Sequence, residues 1–154
     1  MIRKATPKDV KVLLVLWNEL MQFHRIRGSS MLDLVDDAER KWKLWVLKGI
    51  KSSNRLVLVA KEDDEIVGYS LSAIKNNVKV FKLKRLGHIF DLYVKEKYRG
   101  KGIGEQLVKE TLAWFKKKKM TYASIGVHAI NPEAHGLYKK WGFRDMHIEM
   151  RKKL

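Results

Sequence analysis

The stretch from Leu92 to Gly104 reads LYVKEKYRGKGIG, and it is the most informative part of the sequence. It starts in an apolar run typical of a buried strand, passes three glycines within five residues and opens an amphipathic helix. Glycines let the backbone turn tightly with its N–H groups uncovered, and a helix N-terminus carries a partial positive charge. The stretch therefore predicts a site for a phosphate or diphosphate, with Arg99 and Lys101 beside it. The alternative is a strand-to-helix turn in which the glycines serve only the bend.

Length and composition bound the class of protein. The chain has 154 residues, 45% of them hydrophobic, which predicts a single domain over residues 1–154 with a core of its own. The longest apolar run, from Val12 to Trp17, has six residues, whereas a membrane-spanning helix needs about twenty. There is no cysteine, which excludes disulfides, thiolate zinc sites and cysteine nucleophiles. Because nothing at the N-terminus marks the chain for export, we expect a cytoplasmic protein.

The chain is strongly basic, with 33 Lys and Arg against 17 Asp and Glu and a net charge of +16. The excess is spread along the sequence, with two denser patches. One holds Lys79, Lys82, Lys84 and Arg85, and the other is the run Lys116–Lys119. Such a surface attracts polyanions, which include nucleic acid, an anionic membrane and a phosphorylated cofactor. The alternative is a solvated surface in a lysine-rich composition.

The spacing of apolar residues predicts the element order β-α-α-β-β-β-α-β-α-β and hence a mixed α/β fold. The predicted strands are Met1–Thr6, Arg55–Lys61, Ile66–Ile74, Leu86–Val94, Thr121–His128 and Phe143–Met150. The predicted helices are one that follows Pro7 and fades at His24–Gly28, one from Ser29-Ser30 to Gly49, one over 104–118 and one over 132–141. The second helix is expected to bury Met31, Leu34, Val35, Ala38, Trp42, Trp45 and Val46.

Three segments of the sequence resemble one enzyme superfamily. RGKGIG (99–104), after a buried strand, resembles the acetyl-CoA pyrophosphate loop of the GNAT superfamily of N-acetyltransferases. NPEAHGLYKKWGF (131–143) resembles the second cofactor segment of that superfamily, and IVGY (66–69) resembles its third strand. The resemblance covers nearly the whole chain. It implies a three-layer α/β fold whose mixed, mostly antiparallel sheet is splayed between strands 4 and 5 and flanked by about four helices.

The resemblance also implies that acetyl-CoA binds in the opening of the sheet as a co-substrate. Its pantetheine would pair with the strand backbone and its pyrophosphate with the N–H groups of the loop. The implied cofactor-binding residues are Leu92, Tyr93, Val94, Arg99, Gly100, Lys101, Gly102, Ile103, Gly104, Asn131 and Tyr138. Asn131 could instead be a turn former before Pro132. The five histidines show no metal-ligand spacing, so no metal is expected.

Transfer to an amine requires a group that removes the amine proton and one that protonates the leaving thiolate. Tyr138 matches the superfamily's tyrosine for the second task, unless its ring only packs against the preceding strand. The residue that removes the amine proton could be either His88 or Asp91, which both lie on the strand that leads into the site. Strand alternation places His88 and Phe90 on one face of the strand and Asp91 on the other, although a bulge would change the face of Asp91. Each could instead be a structural polar residue.

The acceptor is expected to be a primary amine of a small molecule, such as a polyamine, or of a protein, attacking acetyl-CoA directly in a ternary complex. The acidic cluster Asp33, Asp36, Asp37 and Glu39 could receive a cationic acceptor or could complement the dipole of the second helix. Two alternatives stay open: a basic nucleic-acid-binding module, although no interleaved aromatics of an RNA-recognition sheet are evident, and an acetyl-CoA-sensing domain without catalysis. The short apolar runs lead us to expect no membrane association. By analogy with relatives we expect a homodimer, in which the edge of the strand Phe143–Met150 is one possible contact.

Overall fold

The computed structural model describes residues 1–28 and 32–154 of the chain. Its strands are β1 (Ile2–Lys4), β2 (Arg55–Glu62), β3 (Glu65–Asn76), β4 (Arg85–Val94) and β5 (Ala123–Ile125). Its α-helices are α1 (Val10–Arg27), α2 (Ala38–Ile50), α3 (Ile103–Lys117) and α4 (Pro132–Lys140). Short 3-10 turns precede α1 (Pro7–Asp9) and follow β4 (Glu96–Tyr98).

The five strands form one sheet in the order β1-β2-β3-β4-β5, antiparallel except for the parallel pair β4·β5. The parallel pair is short, because only Gly87–Ile89 pairs with Ala123–Ile125. Beyond Ile89, residues Phe90–Val94 of β4 have no strand partner on the β5 side among the described residues. The splayed sheet that the resemblance implied is therefore confirmed.

Helices cover both faces of the sheet and produce three layers. On one face, Leu13 and Leu16 of α1 and Val46 of α2 pack with Tyr69 and Leu71 of β3. On the opposite face, Leu107 of α3 packs with Leu58 of β2 and Val67 of β3, and Val108 and Phe115 of α3 pack with Ile89 of β4. Burying one such aliphatic side chain contributes about 1.5–3 kcal/mol, so both helix layers stabilise the sheet.

A bulge in β4 decides which side chains face α1 and α2. Leu71 pairs with Asp91 but Ser72 pairs with Ile89, so Phe90 is the extra residue. His88 and Phe90 share a face, as alternation predicted, because their rings meet edge to face with centroids 4.5 Å apart. Asp91 lies on the α2 side as well, where the indole of Trp42 reaches its carboxylate. Simple alternation was therefore wrong for Asp91, and the bulge is the reason.

The prediction of a last strand over Phe143–Met150 is wrong. This segment is irregular, and Met146, Ile148 and Met150 are 93%, 84% and 89% exposed. Its alternation of apolar and polar residues has no partner strand in the described part of the chain. The strand edge that we expected to support a homodimer is therefore not formed.

Two other boundaries differ from the predictions. Helix α2 begins at Ala38, with Asp37 as its N-cap residue, while Leu34 and Val35 are 39% and 58% exposed rather than buried. The acidic residues at 36, 37 and 39 suit the first turn of a helix, which explains the later start. The predicted start at 29–30 and the predicted burial of Met31 lie outside the described residues. Strand β5 is shorter than predicted because its pairing with β4 ends where the sheet splays.

Candidate active site

The loop after β4 presents backbone N–H groups at the start of α3. Gly100 and Gly102 have φ angles of 76° and 77°, in the left-handed region that favours glycine, and Gly102 is the N-cap residue of the helix. The N–H of Gln106 donates to the carbonyl of Gly102 at 3.0 Å. The N–H groups of Ile103 and Gly104 precede this bond and have no acceptor within the helix. Together with the helix dipole they make this loop suited to an anion, and the binding of a phosphate there stays a prediction.

Two cations border this loop. The Nε of Arg99 donates to the carbonyl of Val94 at 2.9 Å, and its guanidinium lies 5.7 Å from the centre of the Tyr93 ring. The ammonium of Lys101 lies 5.3 Å from the centre of the Tyr98 ring. The arginine is thus folded against the end of β4, close to the loop.

Glu65, the first residue of β3, anchors the start of the loop. Its carboxylate accepts from the Nζ of Lys95 and, at 2.7 Å, from the hydroxyl of Tyr98. These hydrogen bonds, led by that of Lys95, lower the pKa of Glu65 to about 2. The glutamate is therefore ionised at neutral pH and holds the 3-10 turn against the sheet.

The end of β4 offers its backbone on the open side and its side chains to both layers. Leu92 and Val94 pack with Ile103 and Leu107 of α3. Tyr93 faces α1, where its hydroxyl donates to the carboxylate of Glu19. An extended ligand could therefore add to the free edge of Phe90–Val94 as a further strand does.

Helix α4 brings Tyr138 to the same end of the sheet. The Tyr138 ring packs with Trp141 and Phe143, at centroid distances of 5.7 and 6.3 Å. The Trp141 ring in turn covers Gly104, because a Cβ built there would lie 3.4 Å from it. Burial raises the pKa of Tyr138 to about 12, so the phenol keeps its proton at neutral pH.

Asn131 is the N-cap residue of α4, and its Oδ1 accepts from the N–H of Ala134 at 3.1 Å. The side-chain oxygen therefore has the structural role that we stated as the alternative. Asn131 nevertheless lies at the open end of the sheet, because it follows β5, which runs parallel to β4.

His88 lies where β4 and β5 are still paired, deeper than the opening. Its Nδ1 is 2.8 Å from the hydroxyl oxygen of Ser124, its partner residue on β5. Burial, and to a smaller extent the charge of Lys75, lower the pKa of His88 to about 4. The imidazole is therefore neutral at pH 7 and a weak base.

Asp91 faces the layer of α1 and α2. Its Oδ2 accepts from the Nε1 of Trp42 at 3.3 Å and from the hydroxyl of Tyr69 at 3.4 Å. Burial raises the pKa of Asp91 above its usual value, although the two hydrogen bonds oppose this shift. Of the two candidate bases, Asp91 is the one whose affinity for a proton is increased.

A second carboxylate and several aromatic rings lie on the same side. Glu19 of α1 accepts from the Tyr93 hydroxyl at 2.8 Å. Trp17 and Trp42 stack with centroids 5.2 Å apart, and Tyr69 lies 6.1 Å from Trp42 and 6.5 Å from Tyr93. We call Asp91, Glu19 and these aromatic residues, of which Trp17, Tyr69 and Tyr93 belong to the buried core, the acceptor face. The two carboxylates are the polar groups of this otherwise aromatic cluster.

The sequence did not single out Glu19, Trp42 or Tyr69 as site residues. Trp42 was expected in the core, and it packs there with its Nε1 turned to Asp91. No motif distinguishes Glu19, whose partner Tyr93 lies 74 residues further along the chain. Only the fold brings these residues together.

A histidine pair joins α1 to the segment after β5. The rings of His24 and His128 lie 4.8 Å apart, and burial, with a smaller effect of His128, lowers the pKa of His24. The pair therefore packs the C-terminal end of α1 against the segment after β5.

The acidic cluster at the start of α2 is engaged with neighbouring polar groups. Asp37 binds Arg40 at 2.6 Å and Lys41 at 2.9 Å, and Glu39 accepts from Asn18 at 2.8 Å. This supports the interpretation of the cluster as a charged helix start. Within residues 1–28 and 32–154, no three His, Asp or Glu side chains are grouped so as to hold a metal ion, and no helix has the length and hydropathy to cross a membrane.

Comparisons with known proteins agree with this geometry. The sequence model of the Acetyltransferase (GNAT) family matches residues 16–143. An N-alpha-acetyltransferase of Sulfolobus acidocaldarius is 33% identical over 148 residues, covering 91% of this chain and 83% of the relative. An uncharacterised N-acetyltransferase of Archaeoglobus fulgidus is 30% identical over 134 residues, covering 82% of this chain and 88% of the relative. The crystal structure of a predicted acetyltransferase with acetyl-CoA from Clostridium acetobutylicum superposes with a TM-score of 0.80 at 18% identity, over 99% of this chain and 95% of that one.

The chain therefore belongs to the GNAT family of acetyltransferases. It is an acetyl-CoA-dependent acyltransferase. Its left-handed glycines and free helix N–H groups fit the pyrophosphate of that co-substrate.

Proposed function

We propose that this enzyme transfers the acetyl group of acetyl-CoA to a primary amine by direct attack in a ternary complex. The observation that carries the proposal is the position of the unpaired end of β4. It has the anion-binding loop at its end and α3 on one face, and Asp91 and the acceptor face on the other. Both substrates can thus meet at one strand edge without an enzyme-bound acetyl intermediate.

Asp91 is the proposed base. An amine must lose one proton before its nitrogen can attack the thioester carbonyl, and the Asp91 carboxylate or a water bound to it accepts that proton. Burial gives this carboxylate a raised pKa and hence a greater affinity for the proton. His88 is the other candidate; burial lowers its pKa to about 4, and its Nδ1 lies 2.8 Å from the hydroxyl oxygen of Ser124.

Tyr138 is the proposed acid. When the amine nitrogen bonds to the carbonyl carbon, the carbon–sulfur bond breaks and the sulfur leaves as a thiolate. A phenol with a pKa of about 12 is protonated throughout the neutral range and can donate its proton to that sulfur. Solvent then restores the phenol proton.

The acceptor that we propose is the α-amino group of a peptide or protein. An α-amine has a pKa near 8, so neutralising it at pH 7 costs about 1 kcal/mol, whereas a lysine amine costs about 4–5 kcal/mol. A single carboxylate base in the acceptor face is adequate for the smaller cost. The name of the relative from Sulfolobus acidocaldarius, an N-alpha-acetyltransferase, supports the same choice.

The experiment is a comparison of acceptors with CoA release as the readout. One peptide has a free N-terminus and no lysine, a matched peptide is N-terminally blocked and carries one lysine, and spermidine represents small polyamines. We expect turnover with the first peptide to exceed that with the other two. Turnover only with spermidine or the lysine peptide would refute the α-amine and keep the transferase, whereas tight acetyl-CoA binding without turnover of any acceptor would favour a sensing domain.

A further inference from the structure

The two basic patches of the sequence, which acetyl transfer does not use, lie at one end of the sheet. Gly87 of β4 pairs with Ala123 of β5, and its N–H donates to the carbonyl of Tyr122 at 3.0 Å. A Cβ built on Gly87 would lie 2.5 Å from the ring of Phe115, in the last turns of α3. The start of β4, the end of α3 and the start of β5 are therefore packed together. One patch directly precedes Gly87 and the other directly follows Phe115.

We define the basic end by the nine cations that these segments carry. They are Lys75, Lys79, Lys82, Lys84, Arg85, Lys116, Lys117, Lys118 and Lys119. All are exposed except Lys118, which is partly buried with its ammonium 6.0 Å from the centre of the Trp114 ring. Segments 74–87 and 116–122 contain no acidic residue.

The loop that contributes the first patch is closed by its own hydrogen bonds. The N–H of Asn77 donates to the carbonyl of Lys84 at 2.8 Å, and its side-chain amide donates to the carbonyl of Leu83 at 3.0 Å. The Nζ of Lys84 reaches the carbonyl of Lys79 at 3.1 Å. The lysines of this loop are thus presented from a defined backbone.

The positive charge of the basic end is not neutralised by the protein. In the described part of the chain, none of its nine cations has a carboxylate oxygen within 4.0 Å, whereas Lys41, Lys95 and Lys109 elsewhere do. Its field also reaches inward, because Lys75 helps to lower the pKa of His88. Concentrated charge of one sign opposes folding, and a polyanionic ligand would relieve it.

Exposed aromatic side chains accompany these cations. Phe81, in the loop, is 56% exposed, and Tyr122, beside the start of β4, is 65% exposed. Aromatic rings within a cationic surface are the features that bind single-stranded nucleic acid, since the rings stack on bases while the cations contact phosphates. Besides Phe81, the large apolar side chains exposed in the described loop 77–84 are Val78 and Val80, so a membrane-inserting tip is less well supported than a phosphate-binding surface.

We propose that the basic end is a binding surface for single-stranded nucleic acid, separate from the acetyl-CoA site. The acetyl-CoA loop follows the opposite end of β4, a strand of ten residues, and at 3.3 Å per residue the two ends are about 30 Å apart. The enzyme could therefore hold a nucleic acid and its acetyl donor together. This proposal does not depend on which amine is acetylated.

The test is fluorescence anisotropy with labelled oligouridylate of twelve nucleotides, over 50–200 mM salt. The loop variant is Lys79→Gln/Lys82→Gln/Lys84→Gln, and the helix variant is Lys116→Gln/Lys117→Gln/Lys119→Gln. The control variant, which removes three exposed lysines near the β1 edge of the sheet, is Lys4→Gln/Lys8→Gln/Lys11→Gln. For single strands the log–log salt slope is about −0.7 per phosphate contacted, so three lost contacts reduce its steepness by roughly 2.

We expect the loop and helix variants each to flatten the slope, the control to match the wild type, and saturating CoA to leave the affinity unchanged. Phe81→Ala/Tyr122→Ala should weaken oligouridylate binding about 30-fold or more, since each stacked base contributes at least about 1 kcal/mol, and should leave inorganic polyphosphate binding unaffected. Equal losses in the control variant, competition by CoA, or binding to phosphatidylserine vesicles without binding to oligouridylate would overturn the proposal. Unchanged circular dichroism and thermal midpoints would establish that the variants fold.

Discussion

The carboxylate of Asp91 accepts a hydrogen bond from the indole of Trp42 at 3.3 Å, which ties the bulge of β4 to helix α2. This contact makes Asp91 part of the acceptor face and also opposes the effect of burial on its pKa. The proposed base is therefore tuned by a residue on another element.

Replacing Asp91 by Asn tests the base directly. We expect kcat to fall by about 100-fold to 10,000-fold, because general base catalysis contributes on this order. Binding of acetyl-CoA by calorimetry should be unaffected, since the loop at Gly102 is intact. Activity within threefold of the wild type would transfer the role of base to His88 or to solvent, and His88→Gln distinguishes these two.

The Trp42→Phe variant tests the tuning of Asp91. Loss of the indole N–H removes a hydrogen bond that favours the ionised carboxylate, so the pKa of Asp91 should rise. The acidic limb of the pH profile of kcat/KM should then move to higher pH, with little change at the alkaline plateau. A uniform loss of activity at every pH would indicate a packing role only.

The Tyr138→Phe variant tests the acid. Because the pKa of Tyr138 is about 12, the wild-type rate should show no loss from phenol ionisation between pH 7 and 9. The variant should lose about 100-fold to 10,000-fold in kcat and keep its affinity for acetyl-CoA, with the ring still packed on Trp141. An undiminished kcat would show that Tyr138 is not the acid and would leave the transferase assignment unchanged.

The loop was predictable from the sequence because its determinants are local. Gly100 and Gly102 allow positive φ angles, and the start of a helix behind them depends only on the helix-forming residues that follow Gly102. The same holds for Asn131 as a turn former before α4. Each of these features depends on a few consecutive residues.

The acceptor face was not predictable in the same way. The contact of Trp42 with Asp91 joins residues 49 apart, and it requires the bulge at Phe90, which no residue pattern in the strand marks. The segment Phe143–Met150 illustrates the converse, since its alternation is a local signal but a strand also needs a partner. Pairing and bulges are properties of the assembled sheet.

Substitution of Gly102 by Ala tests the anion site. A left-handed φ of 77° costs an L-residue about 1–2 kcal/mol, although a Cβ there would meet no atom within 4 Å. We expect weaker acetyl-CoA binding and a lower free energy of unfolding. The control is Gly136→Ala within α4, which also has open space but no positive φ, and it should increase stability by about 0.5–1 kcal/mol. Equal behaviour of the two variants would show that the backbone angle at Gly102 has no role in binding.

The titration of His88 predicts how stability depends on pH. The pKa of His88 is about 4 in the fold, below the unfolded value near 6.5, so between these limits the unfolded chain binds more protons. The contribution of the neutral ring is therefore fully present above pH 6.5 and is lost as the pH falls toward 4. Linkage alone gives about 3 kcal/mol, and because the ring is partly exposed we expect about 1–2 kcal/mol. Urea unfolding at pH 4.5 and 7 should show this loss in the wild type and a smaller one in His88→Gln, which keeps a hydrogen-bonding group toward Ser124 but does not titrate. An identical loss in both proteins would assign the pH dependence to other groups, with His24, also of lowered pKa, as the next to replace.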